Sequence, residues 1–95
     1  MTALIAAAYS NGNPEIITTL IKNGADVNTR NQDGMTALME AARWNSNPEV
    51  IIKLLDSGAD ATIKDDYGRM AIDSARNNRV LAGTEALRRL ENAGR

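Results

Sequence analysis

The sequence predicts an all-α solenoid of stacked antiparallel helix pairs with projecting hairpin-like loops, and three observations carry that expectation. The first is self-similarity: residues 1–34 laid over 35–68 are identical at sixteen positions without a gap. The segments NPEIITTLIKNGAD (13–26) and NPEVIIKLLDSGAD (47–60) show it most plainly. The second is composition. The chain is 43% apolar, yet it has no Phe, and its only aromatic residues are Tyr9, Trp44 and Tyr67. A core must therefore come from Ala, Leu, Ile, Val and Met, which suits close helix packing better than a sheet. The third is spacing, because apolar residues recur at helical intervals between glycine-bearing turns.

Each unit reads as two short helices. The first, about Thr2–Tyr9 and Thr36–Trp44, places Leu4, Ala7 and Ala8, or Leu38, Ala41 and Ala42, on one stripe, and its alanines permit close approach. The second opens with Asn-Pro-Glu. Asn13 or Asn47 caps the free amides, Pro14 or Pro48 suits the first turn, and Glu15 or Glu49 complements the helix dipole. Ile16, Ile17, Leu20 and Ile21 form its apolar face, answered by Val50, Ile51, Leu54 and Leu55. Gly24 and Gly58 stop these helices, since a left-handed residue past the last turn is easiest for glycine. The connection to the next unit ends in Asp33-Gly34 or Tyr67-Gly68, a projecting turn. A third, degraded copy begins at Arg69. Ala71, Ile72 and Ala75 stand there for Ala37, Leu38 and Ala41. After two extra residues, Glu85, Leu87, Leu90 and Gly94 stand for Glu49, Ile51, Leu54 and Gly58. One domain, 1–95, with units 1–34, 35–68 and 69–95, is expected.

The stretch GADVNTRNQDGMTALMEAA (24–42) resembles the ankyrin repeat, with its Gly-Ala-Asp turn, protruding hairpin and Thr-opened helix. The resemblance covers essentially the whole chain in nearly three units. The unit is 34 residues long against roughly 33 in the family, with the extra residue in the inter-helix turn. The usual Thr-Pro-Leu-His becomes TALI, TALM and MAID, so the His that braces adjacent turns is absent. The NPEVI wording is similar to a version common among bacterial members. The resemblance implies a non-catalytic module that binds proteins and needs no cofactor. It also implies why the copies exist: a single helix pair cannot enclose its own apolar face, and stacked neighbours share one core.

The two ends differ. Arg76, Ala86, Arg88 and Glu91 replace Ala42, Val50, Ile52 and Leu55, which reads as a C-terminal cap that exchanges apolar contacts for solvated groups. Residues 1–68 carry net −4 and residues 69–95 net +3, and the cap accounts for the positive end. The first unit keeps Ile5, Ala6, Ile16 and Ile21, an open apolar face. Two readings follow: the chain is a piece of a longer repeat scaffold, or it self-associates as a homo-oligomer through the N-terminal unit.

Several function classes are excluded or disfavoured. Without Cys or His there is no zinc site, disulfide, thiol nucleophile or imidazole base. No apolar run approaches the roughly 18 residues of a membrane span, and no secretory pattern opens the chain, so a soluble and, if a compartment is named, cytoplasmic protein is expected. A weak field of mixed sign argues against nucleic acid. Thr29, Asn31, Asp33, Gly34 and Glu40 approach a calcium loop but lack its leading Asp. Asp60, Lys64, Asp65 and Asp66 suggest acid–base chemistry only superficially, because adjacent residues on an exposed turn read as a solvated loop. Asn11-Gly12 reads as a tight helix–helix turn.

The remaining signal is a recognition surface. The turn tips carry Arg30, Gln32, Asp33 and Met35 in one unit and Lys64, Asp66, Tyr67 and Arg69 in the next, varying over a constant framework. On the adjoining helix Glu40 and Trp44 are four apart, with Arg43 beside them. Ser10 stands where Trp44 stands one unit later, so Trp44 is expected on the surface. Trp, Tyr and Arg most often dominate binding energy. The expected function is protein binding on the concave face of turn tips and first helices.

Overall fold

The computed structural model describes residues 3–10 and 13–94, apart from the side chain of Ser10. The predicted turn at Asn11-Gly12 therefore lies outside the described residues, as does Thr2. The helices are α1 (Ala3–Ser10), α2 (Pro14–Lys22), α3 (Ala37–Trp44), α4 (Pro48–Asp56), α5 (Ala71–Ala75) and α6 (Glu85–Ala93), with a 3₁₀ turn at Arg79–Leu81. Among the described residues there is no strand, and no helix is long and apolar enough to cross a membrane.

Local chemistry sets the helix ends where the sequence places them. The side-chain oxygens of Asn13 and Asn47 each accept the N–H two residues on, from Glu15 and Glu49, at 3.0 Å. Thr36 caps α3 by accepting the Met39 N–H at 3.3 Å, so it precedes the helix rather than opening it. After α2, Gly24 takes φ +98°, its N–H donates to the Ile21 carbonyl, and Ala25 N–H donates back to Leu20. Gly58, Leu55, Ala59 and Leu54 repeat this after α4. These paired bonds satisfy carbonyls that the helix end would otherwise leave open. Met70 stands where the earlier units have Thr, and α5 is only five residues long. There the Asp73 carboxylate reaches back to the Met70 N–H at 2.9 Å instead.

The helices form two rows. Helices α1, α3 and α5 pack in one, α2, α4 and α6 in the other, and each antiparallel pair also packs internally. Contact is more extensive in the first row, where Ala8, Ala37, Ala41, Ala42, Ala71 and Ala75 let backbones approach. In the second row, whose neighbouring helices make less extensive contact, Leu, Ile and Val side chains fill the space between them. Polar groups tie the units together. Asn45 Nδ2 donates to the Ala8 carbonyl at 2.8 Å, and Asn78 Nδ2 donates to Ala42 at 3.1 Å. Each Asn thereby caps the end of the preceding unit's first helix while its own Oδ1 holds the following turn.

Equivalent positions differ in burial according to their neighbours. Val50, Leu54 and Ala41 are fully buried, whereas Ile16 is exposed and Leu20 and Ala7 are half-buried. Ile5, expected on the open face, is instead buried, because α1 turns it inward with Leu4 and Ala8. At the other end Arg76 and Arg88 are exposed and Glu91 is half-buried. Ala86 is fully buried, so it is not one of the solvated replacements: it shortens Val50's side chain without leaving the core. The two extra residues of the third copy bring in the 3₁₀ turn, whose Leu81 is fully buried.

Leu20 and Leu54 are the same residue in the same register, differing in the unit packed before them. We expect Leu54→Ala to cost about 2–5 kcal/mol, as for a fully buried leucine, and Leu20→Ala distinctly less. Urea denaturation followed by circular dichroism measures both, and equal losses would contradict lateral burial.

Candidate functional site

The turn tips are built around one residue each. Asn31 Oδ1 accepts the N–H groups of Asp33 and Met35 at 2.9 and 3.0 Å, and Asn31 N–H donates to the Met35 carbonyl. Asp65 repeats the arrangement, accepting from Tyr67 at 2.8 Å and Arg69 at 2.9 Å. Asp65 is thus buried at the centre of its turn and not part of a solvated loop. The oxygen-rich stretch 29–40 likewise closes on itself, with Asn31's oxygen holding backbone amides.

Adjacent tips are then locked in register. Asp66 N–H donates to the Asp33 carbonyl at 3.0 Å, and Arg30 donates through Nε to Gly34 and through Nη2 to Lys64, at 2.9 and 2.8 Å. At their base, Asn28 Oδ1 accepts the Asp60 N–H at 2.8 Å. These bonds brace the tips in a chain without His. Gly34 sits at φ +77° where they meet, and a Cβ there would collide with the Asp66 carboxylate and the Arg30 guanidinium.

Of the predicted site residues, Arg30, Gln32, Asp33, Lys64, Asp66, Tyr67 and Arg69 are exposed on the tips, and Arg43 and Trp44 are exposed at the end of α3. Trp44 is 53% and Tyr67 75% exposed, as the comparison with Ser10 led us to expect for Trp44. Two residues fall elsewhere. Met35, 4% exposed, packs into the core at the foot of its turn. Glu40 is 5% exposed, although Ala6 at the same register is open. Helix α3 has α1 on one side and α5 on the other, so its row-facing positions are covered.

The exposed aromatics do not stand alone. Tyr9, 44% exposed, lies with its ring centroid 5.9 Å from Trp44 and tilted by 53°. The Arg43 guanidinium lies 4.9 Å from the Trp44 ring, and that of Arg69 lies 5.1 Å from Tyr67. Between them opens a cleft of about 330 Å³ lined by Arg43, Trp44, Arg69, Asp73, Ser74 and Asn77. Sequence reasoning missed Tyr9, the α5 wall of this cleft, and the structural role of Asn31, Asp65, Asn45 and Asn78. Asn31 and Asp65 were detectable as matched acceptors at one register.

The carboxylates have separate tasks. Burial pushes Asp65 up, but the Arg69 and Tyr67 amides and the Arg69 guanidinium, 3.0 Å away, outweigh it and hold the carboxyl below its ordinary range. The Thr62 hydroxyl and N–H lower Asp60. Glu40 is raised, chiefly by burial, with Arg43 opposing and Asp33 reinforcing the shift. These groups serve different turns and do not converge on one reacting atom.

In comparisons with known proteins, residues 1–80 match the family model of ankyrin repeats, in three copies. Comparison with curated proteins gives no match.

Two of the shifted carboxylates, Asp65 and Glu40, predict opposite pH behaviour. Asp65, lowered in the fold, contributes stability that is present above its ordinary pKa of 3.8 and is lost as pH falls through its folded value. Asp65→Ala leaves two amides unpaired and should cost about 1–3 kcal/mol near neutrality. Asp65→Asn, which recreates the Asn31 arrangement, should cost less, and its deficit should shrink in acid. Glu40, raised in the fold, instead lowers stability as pH climbs through its ordinary 4.5 towards the folded value. Glu40→Gln should therefore stabilise at neutral pH and change little well below 4.5. Urea midpoints across this range check both signs.

Proposed function

Since the chain belongs to the ankyrin-repeat family, whose members are generally protein–protein interaction modules and typically non-catalytic, we propose that it binds a protein partner on the face made by its turn tips and first helices. The observation that carries this reading is the exposure of Tyr9, Trp44 and Tyr67, with Tyr9 against Trp44 and an arginine over the rings of Trp44 and Tyr67. Exposed aromatics backed by Arg are the side chains that most often anchor interfaces. The tips are already locked by Asn31, Asp65 and Arg30, so binding there carries little ordering cost. Arg30 lies near Asp66, Arg69 pairs with Asp65 and Arg76 lies near Asp73, a mixed surface that supports a protein partner over nucleic acid or an anionic membrane. In this reading units 1–34 and 35–68 form the platform and 69–95 closes it.

A second reading rests on Ile16 and Leu20, which lack the cover their counterparts Val50 and Leu54 have. It makes the chain a scaffold piece or a self-associating unit joined through that face. Light scattering at high concentration separates the two: a persistent monomer removes self-association.

Trp44→Ala and Tyr67→Ala test the first reading. Each should weaken capture of a bound protein from a cell lysate by about tenfold or more, with helicity by circular dichroism unchanged. Undiminished capture by the double variant would show that the face is wrong.

A further inference from the structure

The cleft at the ends of α3 and α5 has a charge balance that selects among partner segments. Its two cations come from different units, Arg43 from α3 and Arg69 from the second turn tip, and each lies about 5 Å from an exposed aromatic ring. A guanidinium stacked on a ring is held by its face and keeps its edge donors for a planar, two-oxygen acceptor. Asp65 takes Nε of Arg69, one of that side chain's five donors, leaving the terminal amines. Arg43 makes no ion pair among the described residues. The one acid lining the cleft, Asp73, is already occupied: one oxygen accepts the Met70 N–H at 2.9 Å, and the other lies 3.9 Å from Arg76. Asp65 already offsets Arg69, and Glu40 feels Arg43 without pairing with it, so the cation left free to take an acceptor is Arg43, with the terminal amines of Arg69 beside it.

We propose that this cleft takes an Asp or Glu side chain of an extended partner segment, its carboxylate between Arg43 and Arg69 and its apolar neighbour against Trp44. The inference rests on the reading that this face binds a protein. The cleft's volume, about 330 Å³, accommodates one or two residues of a chain. Ser74 and Asn77 supply a hydroxyl and an amide for the segment's backbone. A basic segment meets two guanidiniums instead, a like-charge juxtaposition that selects against it.

The test uses the labelled 95-residue chain and the peptide acetyl-Gly-Glu-Leu-Glu-Leu-Gly-amide, with counterparts carrying Gln, Lys or phosphoserine in place of Glu. The single Trp makes its indole N–H an unambiguous nuclear magnetic resonance probe, read with the Arg43 and Arg69 side-chain N–H signals. The Glu peptide should move these signals saturably. The Gln peptide should bind about tenfold more weakly, and R43Q should lose a similar factor for the Glu peptide at unchanged helicity. Equal or tighter binding of the Lys peptide, binding of the phosphoserine peptide alone, or shifts confined to residues outside the cleft would each overturn the proposal. If R43Q and the peptide series show no charge preference while Trp44→Ala still abolishes partner capture, this inference fails and the binding face stands. If Trp44→Ala leaves capture intact, the face itself fails.

Discussion

Leu54 is sealed from water because α2 lies against α4 on one side and α6 on the other, while its own pair partner α3 covers only one direction. That lateral burial is the constraint from which the other features follow. A helix pair has two apolar flanks and a single internal contact, so most of the hydrophobic stabilisation is available only between units. The alanines of the first row let α1, α3 and α5 come close enough to exclude water, and the branched side chains of the second row fill the space between its helices. Where a neighbour is missing, the same chemistry is left uncovered, as at Ile16 and Leu20.

Apolar burial alone does not fix how far one unit slides along the next. Polar side chains set that register. Asn45 and Asn78 reach back to the helix ends at Ala8 and Ala42, and Arg30 and Asn28 join consecutive turns. Asn31 and Asp65 hold each turn's own backbone. With the register held by these bonds, Gln32, Lys64, Tyr67 and Trp44 are exposed on a braced surface. Glu40 is the exception: a carboxylate covered by its neighbours, its pKa raised by burial, where the preceding unit has Ala6. A buried charge without a strong partner costs stability, and Arg43 opposes the rise without forming an ion pair with it among the described residues.

Much of this was legible in the sequence because it is local. Asn13-Pro14-Glu15 and its copy announce helix starts, Gly24 and Gly58 announce stops, and the 34-residue period identifies the stack. Trp44's exposure followed from Ser10 at the same register. What was not legible depends on neighbours across units. Met35, Glu40, Ile5 and Ala86 were misplaced because their burial is decided by the adjoining helices and not by their own spacing. Asn45 finds its acceptor 37 positions back in the chain, and no local pattern points there. The cleft between Trp44 and Asn77 exists only once α3 and α5 are docked, so one wall was read and the other was not.

Native-state hydrogen exchange tests lateral burial most directly, since it measures the opening free energy of each helix separately. The account predicts the slowest exchange in α3 and α4, which have a helix pair on both sides, and exchange through lower-energy partial opening in α1 and α2. Amides of α3 and α4 that exchange ahead of those in α1 and α2 would contradict it.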